Sequence, residues 1–191
     1  MKKYFIFLLL SALGLLLISV AGADFWSPAL PQIGKIDLKP QTPSQVGRID
    51  PWPQTPPKIG RLELKQEYWG YMKEAARKYQ VSPYLIQAVC AIESRYDPYA
   101  SSGQGRCYGL MQLHKDTARK YGVDSRNPRE NIMGGAAVLA RLLTKYDGDL
   151  RRVLRVYNAE CTSAYEREVI KAFNQAMSSG LASRTFARNR N

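Results

Sequence analysis

The chain has 191 residues, with 28 lysines and arginines against 16 acidic residues, and a formal net charge of +12. This length allows one domain with appendages, and a hydrophobic content of 45% is sufficient for a globular core, so a wholly disordered chain is excluded. The positive charge favours an anionic partner: nucleic acid, anionic lipid or acidic cell-wall material.

The first 23 residues have the pattern of an export signal. Lys2 and Lys3 precede an apolar run over residues 4–20, and small residues at Ala21 and Ala23 suit cleavage before Asp24. The pattern predicts a secretory signal peptide over residues 1–23. An uncleaved anchor is the alternative, because 17 mostly apolar residues can span a bilayer. In both cases the rest of the chain is exported, to the periplasm or the cell envelope.

Residues 24–63 form a predicted linker that contains a repeat. Gly34, Gly47 and Gly60 recur every 13 residues, and aligning them superimposes PQIGKIDLKPQTP, SQVGRIDPWPQTP and PKIGRLELK. Most of the 11 prolines lie here, and proline at this density prevents helix and breaks strand pairing. We therefore expect an extended spacer, with a docking arm for an envelope protein as the alternative.

Helical signals begin near residue 64 and continue to about residue 178. The predicted helices are marked by apolar periodicity, by Ser82-Pro83, by the capping-box patterns at 127–130 and 163–166, and by the ending glycine Gly122. Gly134 and Gly135, inside the long helix that opens at residue 127, indicate that another backbone packs closely there. The sequence predicts a mainly α domain over 64–178 with little or no β, followed by a basic flexible tail over 179–191.

Glu93 is the most informative residue of the predicted helices. In a helix that starts at Pro83, about 100° per residue places Glu93 at about −20°, between Val89 at about −60° and Ile86 at 0°. A carboxylate thus lies in the apolar stripe, where burial and the negative helix end both raise its pKa, as a general acid requires. The alternative is that the helix frays and Glu93 pairs with Arg95 or Arg106.

Three short motifs resemble those of the soluble lytic transglycosylase family. They are Glu93-Ser94, then Gly109-Leu110-Met111-Gln112, then Tyr157-Asn158-Ala159, in the family's order and approximate spacing. Residues 127–135 also resemble the family's segment that opens the long helix. The resemblance covers roughly residues 68–175 and implies a lysozyme-like fold, related to goose-type lysozyme, that acts on bacterial cell walls.

The resemblance implies a mechanism with a single catalytic acid/base and no cofactor or metal. Glu93 would protonate the glycosidic oxygen between N-acetylmuramic acid and N-acetylglucosamine. It would then take the proton of the muramic acid's 6-hydroxyl, so that a 1,6-anhydro ring closes without water. An intramolecular nucleophile makes a second carboxylate unnecessary. Asp97 and Asp116 remain open as the base of an inverting hydrolase.

The resemblance also implies a set of substrate-binding residues: Ser94, Tyr108, Met111, Gln112, Tyr157 and Asn158. In the family, Ser94 would steady the glutamate and Tyr157 would orient it. Each position has an ordinary structural alternative. Met111 would be core filler, Tyr157 an amphipathic helix residue and Asn158 a helix-end cap.

The chain has three cysteines, and export permits a disulfide. Cys90 lies on the apolar stripe of the Glu93 helix and is expected to be buried. Cys107 and Cys161 lie in predicted loops and are the expected pair, with three reduced thiols as the alternative. Glu160 stands where the family usually has glycine, and a Cys107–Cys161 disulfide would hold this altered loop against the second motif.

The leading interpretation is an exported, monomeric peptidoglycan lytic transglycosylase whose partner is the glycan strand. A hydrolytic muramidase of the same fold is the close alternative. A non-cleaving glycan-binding or scaffolding module of an envelope apparatus, docked through the repeat, is an alternative from another class. Export argues against a nucleic-acid partner.

Overall fold

The structure is a computed structural model, and it describes residues 50–102, 104–158 and 163–188. The predicted signal peptide, residues 24–49 of the linker, Glu160 and Cys161 lie outside these ranges.

The described chain consists of helices and one small sheet. In chain order the elements are α1 (Gln66–Tyr79), α2 (Pro83–Glu93), β1 (Ser101–Ser102), β2 (Cys107–Tyr108), β3 (Leu113–His114), α3 (Lys115–Tyr121), α4 (Pro128–Lys145), α5 (Leu150–Tyr157) and α6 (Ser163–Arg188). The three strands pair antiparallel in the order β1-β2-β3, with Ser101 opposite Tyr108 and Cys107 opposite His114. The predicted mainly α class is confirmed. Among the helices that the structure describes, none combines the length and apolar composition needed to cross a membrane.

The predicted helix starts agree with the structure, but two caps differ from the expected ones. The side chain of Ser82 makes no capping hydrogen bond at the start of α2, and the cap of α4 is only half of a capping box. The side chain of Asn127 accepts hydrogen bonds from the backbone N–H groups of Arg129 and Glu130, at 3.0 and 3.2 Å, which satisfies two unpaired donors at the start of α4. The carboxylate of Glu130 does not return to residue 127, as a capping box requires. It accepts from the Asp124 N–H at 2.6 Å instead.

Helix α2 lies at the centre of the fold, with α1, α4 and α6 packed around it. All of its residues from Pro83 to Ala91 are buried, so the helix is apolar on every side rather than along one stripe. A helix enclosed in this way is held firmly along its length, and Glu93 is its last residue.

The last helix extends further than the sequence predicts. The sequence places its end near Ser178 with a flexible tail beyond, whereas α6 continues to Arg188. Gly180 does not end the helix, because it is buried against the ring of Tyr84, where a Cβ atom would lie 2.8 Å from two atoms of the tyrosine. This glycine therefore allows α6 to pack closely on α2.

The adjacent glycines in α4 serve close packing, but not against another backbone as the sequence analysis expects. A Cβ atom on Gly134 would lie 2.9 Å from side-chain atoms of Leu113 and Val123, and one on Gly135 would overlap the side chain of Met111. Gly135 therefore accommodates Met111 of the second motif, and Gly134 accommodates Leu113 and Val123, which follow that motif.

Residues 50–64, hereafter the proline segment, pack against the helices. Ile59 is 5% exposed, and Pro53 and Pro57 are buried. Proline-rich backbone offers carbonyl groups but few N–H groups, and the helices supply the matching donors. The indole Nε1 of Trp69 donates to the Pro53 carbonyl at 2.9 Å, and Nε2 of Gln87 donates to the Pro57 carbonyl at 2.7 Å.

An ion-pair cluster holds the start of the proline segment. The carboxylate of Asp50 lies 2.7 Å from Nζ of Lys73 and 3.0 Å from a guanidinium nitrogen of Arg77, both on α1. Burial raises the pKa of Asp50, but the hydrogen bonds from Lys73 and from the Trp52 N–H, together with the two cations, outweigh it and leave the pKa below its ordinary value. The last part of the predicted linker is thus held to the helices at both of its ends.

Candidate active site

Glu93 occupies the C-terminal end of α2 and is mostly shielded from solvent. Burial raises the pKa of its carboxyl group, while a hydrogen bond from the hydroxyl of Tyr165 to Oε1, at 2.5 Å, lowers it by less, and the net direction is upward. The helix does not fray before Glu93. In the described part of the chain, no lysine or arginine forms a salt bridge with its carboxylate. The structure thus does not support the alternative of an ion pair with Arg95 or Arg106.

Tyr165 is the functional candidate that the sequence analysis missed. It lies on α6, 72 residues from Glu93, so local spacing does not connect the two. The feature of the sequence that could have identified Tyr165 is the helical period of α6. This period places Tyr165 on one face with the buried residues Val169, Ala172 and Ala176. The tyrosine hydroxyl that bonds to Glu93 therefore belongs to α6, whereas that of Tyr157 in the third motif bonds to the Met111 carbonyl.

Ser94 connects the end of α2 to the loop that follows. Its hydroxyl lies 2.8 Å from the Leu110 carbonyl and 3.0 Å from the Cys90 carbonyl, and it donates to these backbone groups. Residues 97–114 are hereafter the motif loop, of which residue 103 is not described. Ser94 thus fixes the second motif relative to Glu93, which is a positioning role.

The side chain of Gln112 forms hydrogen bonds within the motif loop itself. Its Nε2 donates to the carbonyl groups of Ala100 and Gly109, at 2.9 and 3.0 Å, and its Oε1 accepts from the hydroxyl of Ser102 at 2.6 Å. Both amide hydrogens are therefore occupied, which leaves one acceptor position for the predicted glycan contact. Gln112 also has a φ of +44°, so the turn that carries it is tightly specified.

Asn131 secures the motif loop from α4. It is fully buried, its Oδ1 accepts from the Met111 N–H at 2.8 Å, and its Nδ2 donates to the carbonyl groups of Tyr108 and Ser125, at 2.7 and 2.9 Å. Gly109 faces this amide at a φ of +77°, and a Cβ atom there would lie 2.5 Å from Nδ2. The sequence contains Asn131 in the segment that resembles the family, but its spacing does not identify it as a support of the second motif.

Met111, predicted to contact the glycan, lies in the core instead. Its side chain is fully buried and packs against Gly135, where the absence of a Cβ atom leaves room for the thioether. Its contribution to the site is its backbone carbonyl, which accepts a hydrogen bond from the hydroxyl of Tyr157 at 3.0 Å.

Tyr157 is the last residue of α5 and holds the motif loop rather than the glutamate. Burial, and to a smaller degree the nearby charge of Glu93, raise its pKa well above the ordinary value of 10, so the hydroxyl remains a donor at neutral pH. Asn158 follows as the C-cap residue of α5, and its N–H donates to the Leu154 carbonyl at 3.2 Å. The helix-end position noted for Asn158 in the sequence analysis is therefore observed.

Tyr108 and the cysteines complete the set of predicted site residues. The half-buried ring of Tyr108 lies under the guanidinium of Arg126, 5.4 Å from the ring centroid. Cys90 is fully buried, as expected, and burial raises the pKa of its thiol strongly. Cys107 lies in β2, and because Cys161 is outside the described ranges the disulfide stays a prediction.

The two other carboxylates considered for catalysis have local partners. Asp97 accepts from the Tyr99 N–H at 2.9 Å, and Asp116 lies 3.3 Å from a guanidinium nitrogen of Arg119 and 3.6 Å from Nδ1 of His114. Within residues 50–102, 104–158 and 163–188, no three histidine, cysteine or acidic side chains are grouped so that they could hold a metal ion. The site therefore offers one carboxyl group with a raised pKa, one tyrosine bonded to it, and a loop held firmly beside it.

Fold and site together define a class: a small helical domain, consistent with the lysozyme-like fold, that carries one shielded carboxylate at a helix end. The transglycosylase SLT domain model matches residues 70–178, which is more than half of the chain. The chain belongs to this family.

Individual relatives agree with the family assignment. A transglycosylase of Enterobacteria phage PRD1 is 34% identical over 117 residues, which cover 56% of this chain and 43% of the phage protein. The membrane-bound lytic murein transglycosylase F 1 of Alkalilimnicola ehrlichii is 39% identical over 93 residues, which cover 48% of this chain and 19% of that protein. The chain thus spans less than half the length of these curated relatives.

One solved structure is also similar. It is an inactive mutant of the lytic transglycosylase Slt from Pseudomonas aeruginosa, 24% identical, with a TM-score of 0.42 and a match that covers 60% of this chain and 22% of that chain.

Proposed function

We propose that this protein is a peptidoglycan lytic transglycosylase that cleaves the bond between N-acetylmuramic acid and N-acetylglucosamine, with Glu93 as its single general acid/base. The observation that carries the proposal is the shielded Glu93 carboxyl group with its raised pKa, bonded to Tyr165 and placed beside the second motif in a member of the SLT family.

Proton transfer to the leaving group is the first step of the proposed reaction. A carboxyl group with a raised pKa keeps its proton closer to neutral pH, which suits an acid that must donate to a glycosidic oxygen. As the proton moves to that oxygen, the bond between it and the anomeric carbon of the muramic acid breaks. The hydrogen bond from Tyr165 stabilises the carboxylate that remains.

Ring closure is the second step. The 6-hydroxyl oxygen of the muramic acid attacks its own anomeric carbon, and Glu93 takes the hydroxyl proton, so the acid is restored and no water is consumed. Asp97 and Asp116 each bond to groups within three residues of themselves in sequence, which supports a single-carboxylate mechanism.

The remaining predicted site residues have supporting roles in the proposal. Ser94, Gln112 and Tyr157 hold the motif loop in place, and Tyr108 offers a ring face for stacking on a sugar. Glycan contacts from Gln112 and Asn158 belong to the proposal as well.

The proposed location follows from the N-terminal sequence and the substrate. An export signal would deliver the chain to the periplasm or cell envelope, where the net positive charge favours anionic wall polymer. Attachment to a membrane is proposed only for a chain that retains its N-terminal segment, and docking of an envelope protein only through the repeat.

The test is the substitution Glu93→Gln, with mass spectrometry of the products released from purified sacculi. We expect the wild-type protein to release anhydro-muropeptides, and the variant to release them about 10²–10⁴-fold more slowly, because the amide keeps the shape but cannot donate the proton. Asp97→Asn and Asp116→Asn serve as matched controls and should retain activity within about twofold.

Each alternative has its own outcome in the same assay. Reducing muropeptides that depend on Asp97 or Asp116 would identify a hydrolytic muramidase. Binding of sacculi by the wild-type protein with no product released would identify a non-cleaving module. Full activity of Glu93→Gln would show that the catalytic assignment is wrong.

A further inference from the structure

A second candidate site lies on α6, away from Glu93. A groove of about 700 Å³ separates the proline segment from the outer face of this helix, next to the start of α5. It is lined by Lys58, Gly60, Arg151, Arg167, Ile170, Lys171, Asn174, Gln175 and Ser178.

The groove and the Glu93 site lie on opposite faces of α6. At 100° per residue, the buried residues Val169, Ala172 and Ala176 lie within about 40° of Tyr165, which bonds to Glu93. The residues of α6 that line the groove lie between about 140° and 280° from Tyr165. A ligand in the groove would therefore be separate from the glycan bond beside Glu93.

The charge of the groove selects an anion. Four of its lining side chains are cationic and none is acidic. The carboxylate of Glu166 partly neutralises Arg151, at 2.5 Å, but in the described part of the chain Lys58, Arg167 and Lys171 form no salt bridge. All three are exposed, and Arg167, which donates one hydrogen bond to the hydroxyl of Ser163 at 3.2 Å, has further N–H groups for a ligand.

The groove has a fixed wall and neutral hydrogen-bonding groups. The backbone N–H of Lys58 donates to the hydroxyl of Ser179 at 3.1 Å, which holds the proline segment against α6. Between the cations lie the side-chain amides of Asn174 and Gln175, whose carbonyl oxygens accept from N–H groups. A peptide backbone carries both an N–H and a carbonyl group at nearly every residue and can pair with both halves of these amides, whereas a phosphate group at neutral pH offers acceptors only.

We propose that this groove binds a carboxylate-bearing peptide. If the proposed function holds, on which the identity of the peptide rests, the ligand is a stem peptide of peptidoglycan. The groove then retains the enzyme on the wall through one stem peptide while Glu93 acts on a glycan strand on the other side of α6.

The test compares two triple variants of the full chain, both made with Glu93→Gln so that sacculi remain intact. The first replaces Lys58, Arg167 and Lys171 by glutamine. The control removes the same charge from exposed lysines outside the groove, Lys65, Lys120 and Lys145. Binding is measured by co-sedimentation with intact sacculi and with sacculi stripped of stem peptides by an amidase, and by calorimetry with the tripeptide L-Ala-γ-D-Glu-diaminopimelate.

We expect the groove variant to bind intact sacculi about tenfold more weakly than its parent at about 100 mM salt, since three exposed ion pairs are lost. The control variant should change by less than about twofold, and neither should differ from the parent on stripped sacculi. Heat of binding from the tripeptide should disappear only in the groove variant.

If the two triple variants lost equal affinity for intact sacculi, the proposal would be overturned, because net charge alone would then explain binding. A loss that persists on stripped sacculi would also overturn it and would indicate the glycan or a phosphate polymer as ligand. The groove variant with Glu93 intact should still release anhydro products from peptide-free glycan strands. If the wild-type protein releases none, the proposed function fails while the binding comparison stands by itself.

Discussion

The motif loop and the proline segment are both largely non-helical, and buried polar side chains of the helices hold both of them, but through different kinds of hydrogen bond. Asn131 both donates to and accepts from the backbone of the motif loop. Gln87 and Trp69 donate to carbonyl groups of the proline segment. Because proline has no N–H, the helices must supply the donors. A proline-rich segment can therefore pack firmly where buried donors face it.

The largest expected effect is that of Asn131→Ala, which breaks the support of the motif loop. One buried and two partly buried backbone groups lose their partners, so we expect the free energy of unfolding to fall by about 3 kcal/mol. We also expect product release to fall at least about 100-fold, because the second motif moves relative to Glu93. Urea unfolding and the sacculus assay measure the two effects, with the exposed Asn174→Ala as the control for unfolding. Full activity of Asn131→Ala would contradict this account of the loop.

The corresponding test of how the proline segment is held is Gln87→Met in α2. It keeps a side chain of similar length and removes the donor to the Pro57 carbonyl. We expect a loss of about 1–2 kcal/mol in the free energy of unfolding, since one buried acceptor is left unsatisfied. Activity should stay within about twofold. Gln175→Met on the surface of α6 is the control, and an equal loss there would show that the hydrogen bond to Pro57 contributes little.

A smaller effect is expected for Asp50→Asn at the start of the proline segment. At pH 7 the loss of the pairs with Lys73 and Arg77 should cost about 1 kcal/mol, reduced by solvent screening. The pKa of Asp50 is lowered in the fold, so this contribution is fully present above its ordinary value of 3.8 and is lost as the pH falls from there through the lowered value. Urea unfolding of both proteins from pH 7 to pH 3 should show the difference shrink; a constant difference would exclude the ion pairs as its cause.

Whereas Asp50→Asn should lower the free energy of unfolding at pH 7, Glu93→Gln should raise it. The pKa of Glu93 is raised in the fold, so protonation stabilises the fold below its ordinary value of 4.5, and this contribution is lost as the pH rises through the raised value. The variant, which does not ionise, should therefore be slightly more stable than the wild-type protein at pH 7 and equal to it near pH 4. A variant that is less stable at neutral pH would show that the carboxylate is better accommodated than its burial indicates.

Much of the fold could be predicted because its signals are local. Ser82-Pro83 predicts the start of α2, and the helical period from there places Glu93 in a shielded position. Gly122, with a φ of +65°, ends α3 as expected. Each of these features depends on residues within a few turns of one another.

The rest could not be predicted because its partners are distant in sequence. Tyr165 reaches Glu93 across 72 residues, and Gln87 reaches Pro57 across 30. Gly180 would be expected to weaken a helix, and the close ring of Tyr84, 96 residues earlier in the chain, is the reason that a side chain does not fit there. Met111 of the motif loop packs in the core against Gly135 of α4, 24 residues later in the chain.

The ion pairs of Asp50 with Lys73 and Arg77 limit how far this domain could move from a membrane in which its N-terminal segment remains. The predicted spacer between membrane and domain would then comprise residues 24–49 rather than residues 24–63. At about 3.1 Å per residue in the extended form that its composition predicts, the reach shortens from about 120 Å to about 80 Å. The volume that the domain can explore scales with the cube of that reach and falls to about a quarter, so its effective concentration near the attachment point rises about fourfold.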